Sequence, residues 1–371
     1  MSTDTGRQTP SLGRLATAVR DLHPGYFAFV MATGIISTGT FLLGPSWLSR
    51  ALLAAASAGL AVLGAALAAR LVCFRSSVAA DIQAPDRVFG FFTISAGLDV
   101  LGVRLALAGH PLATAILAAL AAAVWLVLTY GVPASLLLGR ARDSVLAGVN
   151  GSWLLWIVAT QSLSVAAAIL VRAWPSQAAL LAPVAAGLWC TGLLLYLMIV
   201  ALILLRWLTV PMTPATLGPP YWILMGATAI SVLAGAQNLA LPAGIPVVRA
   251  TTGFVEGFTF ALWAFGTWWI PLLVILGLWR HVRRHWPLTY EPTLWSVVFP
   301  LGMYSVATLT FGKAAHLAFM APLARVMLWV AVAAWALVAA AFLTRLARHQ
   351  GQPGSGAPAV PGTTTTTTTA T

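Results

Sequence analysis

Charge is what this sequence has least of. Only 8% of its 371 residues are Asp, Glu, Lys or Arg, too few to cover the surface of a soluble domain. Lysine occurs once, in Phe311-Gly312-Lys313-Ala314. That setting lacks the upstream glycine and the Ser/Thr of a phosphate-binding loop, so any transport must run on a gradient rather than on ATP. Cysteine occurs twice: Cys73 stands at the end of an apolar stretch and Cys190 inside one, and neither placement implies a disulfide or a metal site. Histidines and carboxylates are too few and scattered to build a catalytic set. His281 and His285 have the i, i+4 spacing of paired metal ligands, but Arg280, Arg283 and Arg284 crowd them and would repel a cation. The sequence therefore predicts no enzyme, no metal and no cofactor. Nor does the net charge of +12 point to nucleic acid, because no basic stripe interleaves with aromatics on a soluble surface.

What the chain has in abundance is apolar length. Hydrophobic residues make up 60% of it and the mean hydropathy is +0.91. Ten stretches are long enough to cross a bilayer core: 25–44, 51–72, 88–108, 112–138, 152–171, 178–205, 221–241, 251–279, 292–311 and 321–345. The expected fold is all-α and integral to the membrane, a ten-helix domain over 25–346. A polar and basic segment precedes it (1–24, with a short amphipathic piece from Leu12 to Leu22), and a tail follows it (347–371) whose Gly, Pro, Ala and Thr cannot bury enough surface to order. Fourteen of the twenty basic residues fall on the side of the two termini. The positive-inside rule then puts both termini in the cytoplasm of a multi-pass plasma (inner) membrane protein. Trp47, Trp153, Trp174, Trp222 and Trp295 lie near the predicted helix ends, where an interfacial belt would sit.

A recurrence organises the spans. Met31-Ala32-Thr33-Gly34-Ile35-Ile36-Ser37 is followed by Thr93-Ile94-Ser95-Ala96-Gly97 and then by Val158-Ala159-Thr160-Gln161-Ser162-Leu163-Ser164. Met225-Gly226-Ala227-Thr228-Ala229-Ile230-Ser231 and Ser305-Val306-Ala307-Thr308 complete the set. From Thr33 through Ser95, Thr160 and Thr228 to Thr308 the gaps are 62, 65, 68 and 80 residues, about one helical hairpin with its loops. Lipid offers a hydroxyl no partner, so these residues are expected to face a shared axis, with the odd spans forming an inner ring and the even spans enclosing it. The candidate pore lining is Thr33, Gly34, Ser37, Ser95, Gly97, Thr160, Gln161, Ser164, Thr228, Ser231, Gly302, Ser305 and Thr308. The competing reading is close packing, in which small residues only let helices approach. Two carboxylates stand inside spans, Asp99 and Glu256. Intramembrane charge is costly, which makes both candidates for a proton-linked role, against inter-helix pairing with Arg104 or Arg249.

The segment His23-Pro24-Gly25-Tyr26-Phe27-Ala28-Phe29-Val30-Met31-Ala32-Thr33-Gly34 resembles the opening helix of the tellurite-resistance/dicarboxylate transporter family. That family includes slow-type anion channels, malate transporters and sulfite efflux pumps. Trp153 to Ser164, Trp222 to Ser231 and Trp295 to Met303 support the match. The resemblance implies five tandem hairpins, odd helices around a central pore, and a homotrimer with one pore per subunit. It also implies a phenylalanine plug, matched here by Phe299, beside Pro300, whose missing N–H kinks the helix. The function it implies is passage of small inorganic or organic anions across the bilayer through a gated pore, passively. Proton-coupled carriage of a C4-dicarboxylate or sulfite is the alternative, and a role in tellurite resistance is left open. A five-plus-five inverted repeat also fits ten spans, but it predicts two matching segments rather than five.

Overall fold

The computed structural model describes residues 10–138 and 145–350. Arg7, Arg140, Arg142 and the tail from 351 onward lie outside the described residues. Within them the chain is helical, with no strand. A short α1 (Pro10–Arg20) leads into five hairpins of one shorter and one longer helix. The shorter members are α2 (Ala28–Leu43), α5 (Phe92–Leu107), α8 (Leu155–Ala173), α10 (Ile223–Leu239) and α12 (Trp295–Ala314). Their longer partners are α3 (Ser46–Cys73), α6 (Pro111–Leu138), α9 (Ala178–Thr209), α11 (Pro246–Leu278) and α13 (Met320–Gln350). Two small helices, α4 (Arg75–Gln83) and α7 (Val145–Gly148), sit in connections. Among the described residues, ten helices are long and apolar enough to cross a membrane, at the ten places the hydropathy pattern predicts.

The five shorter helices form the inner ring. Each touches the next, and α12 closes the circle onto α2. In them 72–94% of the central residues are buried, against 11–39% in the longer helices. That contrast follows from composition. The longer helices carry Leu, Val and aromatic side chains all round, including exposed Leu120, Leu194, Phe260 and Val330, as a face towards lipid requires. The inner helices carry residues small enough for backbones to approach. A Cβ on Gly226 would fall 2.7 Å from Pro300 Cγ, and one on Gly302 would fall 2.9 Å from Ile35 Cγ2. Only glycine lets α10 and α2 lie this close to α12.

Length is the second difference. At 1.5 Å per residue, a sixteen-residue helix such as α2 or α5 spans only about 24 Å of a core about 30 Å thick. With their entry turns the inner spans are 20–23 residues long, against 28–38 for the outer ones, so the ring is shorter than its sheath. We call the end shared by α1 and the C-terminus of α13 the basal side, and the other the distal side.

Each inner helix is entered from the basal side through a 3-10 turn: Pro24–Phe27, Val88–Phe91, Gly151–Leu154, Pro219–Trp222 and Pro292–Leu294. Three of these begin with proline, which has no N–H to leave unpaired at a helix start. His23 Nδ1 accepts from the Gly25 N–H at 3.0 Å, and the Asn150 side chain accepts from the Ser152 N–H at 2.8 Å, so two of the five starts are capped. The distal ends of α5, α8 and α12 carry Arg104, Arg172 and Lys313 in their last turns, where a cation meets the negative end of a helix.

Candidate functional site

The axis of the ring holds two cavities. The basal one, about 350 Å³, is lined by residues of all five 3-10 entries, among them Gly25, Gly90, Ser152, Tyr221 and Thr293. Arg87, Arg206 and Arg280 reach into it, with Asp86 and Glu291. The positive ends of five helices and three guanidinium groups thus converge on one vestibule, a setting that favours anions. His23 also lines it. Burial, helped by nearby Arg87, pushes its imidazole below the ordinary value, so the ring stays neutral and free to cap Gly25.

The distal cavity, about 210 Å³, is lined by every inner helix, with Ile35, Val100, Val165, Ile230 and Val306 as part of an aliphatic wall. Its polar groups are Thr38, Asp99, Ser162, Arg172, Gln237, Thr310 and Lys313. Arg172 donates to Gln237 at 2.6 Å across α8 and α10. Asp99 is 1% exposed. Ser162 Oγ lies 2.8 Å from Asp99 Oδ2 and 2.8 Å from the Ala159 carbonyl, with one proton to give to either. Asp99 Oδ1 has no partner.

Phe299 stands between the cavities. On α12, Ser296 lines the basal cavity and Met303 the distal one. These two are seven residues apart and so share a helix face, with Phe299 on that face between them. It is 1% exposed. Pro300 breaks the helical hydrogen-bond ladder one residue on and packs against Gly226 of α10. Helical register places Met31, Ala96, Val158 and Ala227 near this level on the other four helices, all buried. The level between the cavities is apolar and buried.

Of the hydroxyls in the recurrent segments, Thr93 lines the basal cavity and Ser162 the distal one, whereas those expected to line the pore have partners elsewhere. Ser37, Ser95, Ser164 and Ser305 donate to the carbonyls of Ser49, Ala121, Ala185 and Ala324 at 2.7, 3.0, 2.7 and 2.7 Å, each on the outer helix of its own hairpin. Thr33, Thr160 and Thr308 accept from the indole N–H groups of Trp335, Trp125 and Trp263 at 3.0, 2.9 and 3.0 Å, each on the outer helix of a neighbouring hairpin. Thr228 lies against Gly266 of α11 and donates to the Met225 carbonyl, and Ser231 donates to Ala227. Gln161 packs on Gly192 of α9 and donates to the Trp189 carbonyl at 3.1 Å. Gly34, Gly97 and Gly302 face neighbouring inner helices. The reason is physical: an outer helix supplies carbonyls and indoles that a hydroxyl in an apolar medium needs, so the repeat marks staples between ring and sheath. The distal lining includes residues of the same segments on another face of the helix, Ile35, Ser162, Ile230 and Val306, with Val100 and Val165 just beyond.

The two spanning carboxylates part company. Asp99 lines the distal cavity, whereas Glu256 is exposed on the outward face of α11. Gly235 meets Thr259, so Glu256 is level with Asn238, in the last turn of α10. It lines neither axial cavity. The expected pairings with arginine are also replaced. Arg104, 2% exposed, donates to Ser37 and Ser49 at 3.1 and 2.8 Å and lies 4.3 Å from the Phe41 ring, tying α2, α3 and α5 together. Among the described residues, the ion pairs (Arg20–Asp21, Arg70–Asp81, Arg87–Asp81 and Arg280–Glu291) all lie on the basal side. Trp153 and Trp295, expected at the lipid interface, are buried, with indole N–H groups donating to the Pro85 carbonyl and the Tyr290 hydroxyl. His281 donates from Nδ1 to the Trp286 carbonyl at 2.9 Å, which closes a turn.

Known proteins resemble this chain in sequence. The chain is 46% identical over 166 residues to an uncharacterized membrane protein of Mycobacterium tuberculosis, covering 45% of this chain and 84% of that one. It is 24% identical over 298 residues to an uncharacterized transporter of Methanocaldococcus jannaschii, covering 77% and 82%. A second transporter of that archaeon is 28% identical over 120 residues, 32% and 33% of the two chains. The family model described as voltage-dependent anion channel, SLAC1, matches residues 21–343, the whole ring and its sheath. The chain is thus a multi-span membrane protein of the SLAC1 family, the tellurite-resistance/dicarboxylate transporter group that its opening helix resembles.

Proposed function

We propose that this protein is a passive pathway for small anions, with the axis of the inner ring as its pore and Phe299 as its gate. The observation that carries the reading is the pair of axial cavities separated by the buried Phe299 ring. An apolar constriction closes a pore by excluding water as much as by blocking it. Arginines and helix N-termini on the basal side supply the preference for anions. In this reading the protein spans the plasma (inner) membrane with its basal side and both termini cytoplasmic, and it is a homotrimer with one pore per subunit. Native mass spectrometry tests the trimer, and reversal potentials in planar bilayers under anion replacement test the pathway. Current that follows the anion gradient supports it; current that follows the cation gradient overturns it.

One observation favours a second reading, proton-coupled carriage of a C4-dicarboxylate or sulfite. Asp99 lines the distal cavity with Oδ1 unpartnered, as a carboxyl that exchanges protons with a passing substrate would. Asp99→Asn keeps the shape and removes the exchangeable acid. Under the carrier reading it abolishes uptake driven by a pH gradient in protein that assembles normally. Under the channel reading, current without a pH gradient persists in both forms.

A further inference from the structure

Buried polar groups seldom go without partners, yet several orphans in this molecule share one place. Ser152 Oγ, Arg280 Nε and Thr293 Oγ1 have no hydrogen-bond partner, and all three residues line the basal cavity. Arg280 is 6% exposed and Ser152 is 9% exposed. The three come from separate parts of the chain: the entry to α8, the turn after α11 and the entry to α12. All three atoms can donate. The nearest acid, Glu291, stands 3.7 Å from Arg280 Nη2, too far for a hydrogen bond. On the Nε–Nη2 edge, the one that takes two oxygens at once, Nε therefore has no hydrogen bond and Nη2 has only the long ion pair with Glu291.

We propose that these residues form a binding site for a small oxyanion in the basal vestibule, below Phe299, where the anion waits before the gate opens. An oxyanion presents several acceptor oxygens in different directions, which suits donors arriving from three chain segments better than a single halide would. Two oxygens meet the Arg280 edge, and the remaining oxygen meets the Ser152 and Thr293 hydroxyls. Glu291 is the built-in competitor: its carboxylate draws on the same guanidinium and repels the ligand. The site rests on the pathway reading above for its purpose, but its binding is separable from conduction.

The test uses the full-length protein in nanodiscs, with nitrate as the probe against gluconate at fixed ionic strength. The measurement is the rise of the thermal unfolding temperature with nitrate, which saturates if a site binds the native state. Ser152→Ala and Thr293→Val should each raise the half-saturating concentration about ten-fold or more, the size of one lost hydrogen bond to a charged group. Glu291→Gln should lower it, a gain that misfolding cannot mimic. Arg75→Gln, which removes an exposed charge outside the vestibule, should leave it unchanged. A saturable response that none of the three vestibule variants moves, an equal effect from Arg75→Gln, or no response at all overturns the site. Bilayer recordings on the same samples separate the two claims. Nitrate binding as described without anion current would refute the pathway and keep the site, while current that ignores the variants, with binding equally unmoved, would do the reverse.

Discussion

The two axial cavities are built from the same five helices, yet their chemistry is opposite. The basal one collects helix N-termini, Arg87, Arg206, Arg280 and a set of hydroxyls. The distal one is mainly aliphatic, with one buried carboxylate and with Arg172 and Lys313 among its lining. Helix direction explains much of the contrast. In a ring whose inner members all run the same way, one mouth receives five positive helix ends and the other five negative ones. Arg172 and Lys313 offset part of the negative charge at the distal mouth. Under the proposed pathway, attraction and closure are divided along the axis: the basal vestibule would concentrate anions, and the apolar level at Phe299 would decide whether they pass.

The largest expected effect comes from abolishing the boundary between the cavities. Phe299→Ala removes the ring and lets water join the two spaces, so anion conductance should rise several-fold or more in bilayers. Phe299→Leu should give a partial rise. An ordinary buried Phe→Ala costs about 3–5 kcal/mol and lowers the amount of working protein, the opposite sign in the same recording. A variant present in normal amount that conducts no more than the parent would remove Phe299 as the gate.

A second way to break the comparison acts on the wall beside that level. Gly226 faces Pro300 with no room for a Cβ. Gly226→Val should therefore force α10 from α12 and cost about 1–3 kcal/mol. Size-exclusion yield and melting temperature measure this, and a variant as stable as the parent would show that the ring gives more freely than its packing implies.

Accessibility sharpens the comparison further. Cysteines at Ile35, Val100, Ile230 and Val306, in the distal lining, should react with small water-soluble thiol reagents added from the distal side. Those at Thr33, Ser95, Ser164 and Ser305, which bond to outer helices, should be protected. The reverse pattern would restore the hydroxyls to the axis and discard the lining described here.

That last contrast also shows what the sequence made legible. Hydropathy located all ten helices, and the period of the small and hydroxyl residues identified which five form the ring. Both signals are one-dimensional, and both survive folding. Facing is a three-dimensional property. Thr160 could turn to the axis or to Trp125, and only the position of α6 beside α8 decides. Asp99 was visible because charge in a span is rare, and its place in the cavity follows the same economy. Glu256 looked equally rare, but α11 is thirty-three residues long and carries it to the level of the distal ends of its neighbours. The vestibule donors Ser152, Thr293 and Ser296 were passed over because Ser and Thr near Pro and Gly read as ordinary turn chemistry. Their one available signal was position: each falls at or next to the entry of an odd span.

The smallest expected effect tests the basal rim. His23 is held neutral, its Nδ1 accepting from Gly25 at the first 3-10 entry, and burial lowers its proton affinity relative to the unfolded chain. A base with a lowered folded value favours the native state when unprotonated. Its contribution is therefore complete above the unfolded value, about 6.5, and declines as pH falls below it, because the unfolded state then binds the extra proton. Melting temperature should accordingly drop between pH 7.5 and pH 5.5 by more in the parent than in His23→Asn. Asparagine keeps a capping oxygen but has no proton to gain in that range. If both forms lose the same amount, the acid sensitivity lies elsewhere on the basal side, and His23 serves the vestibule by shape alone.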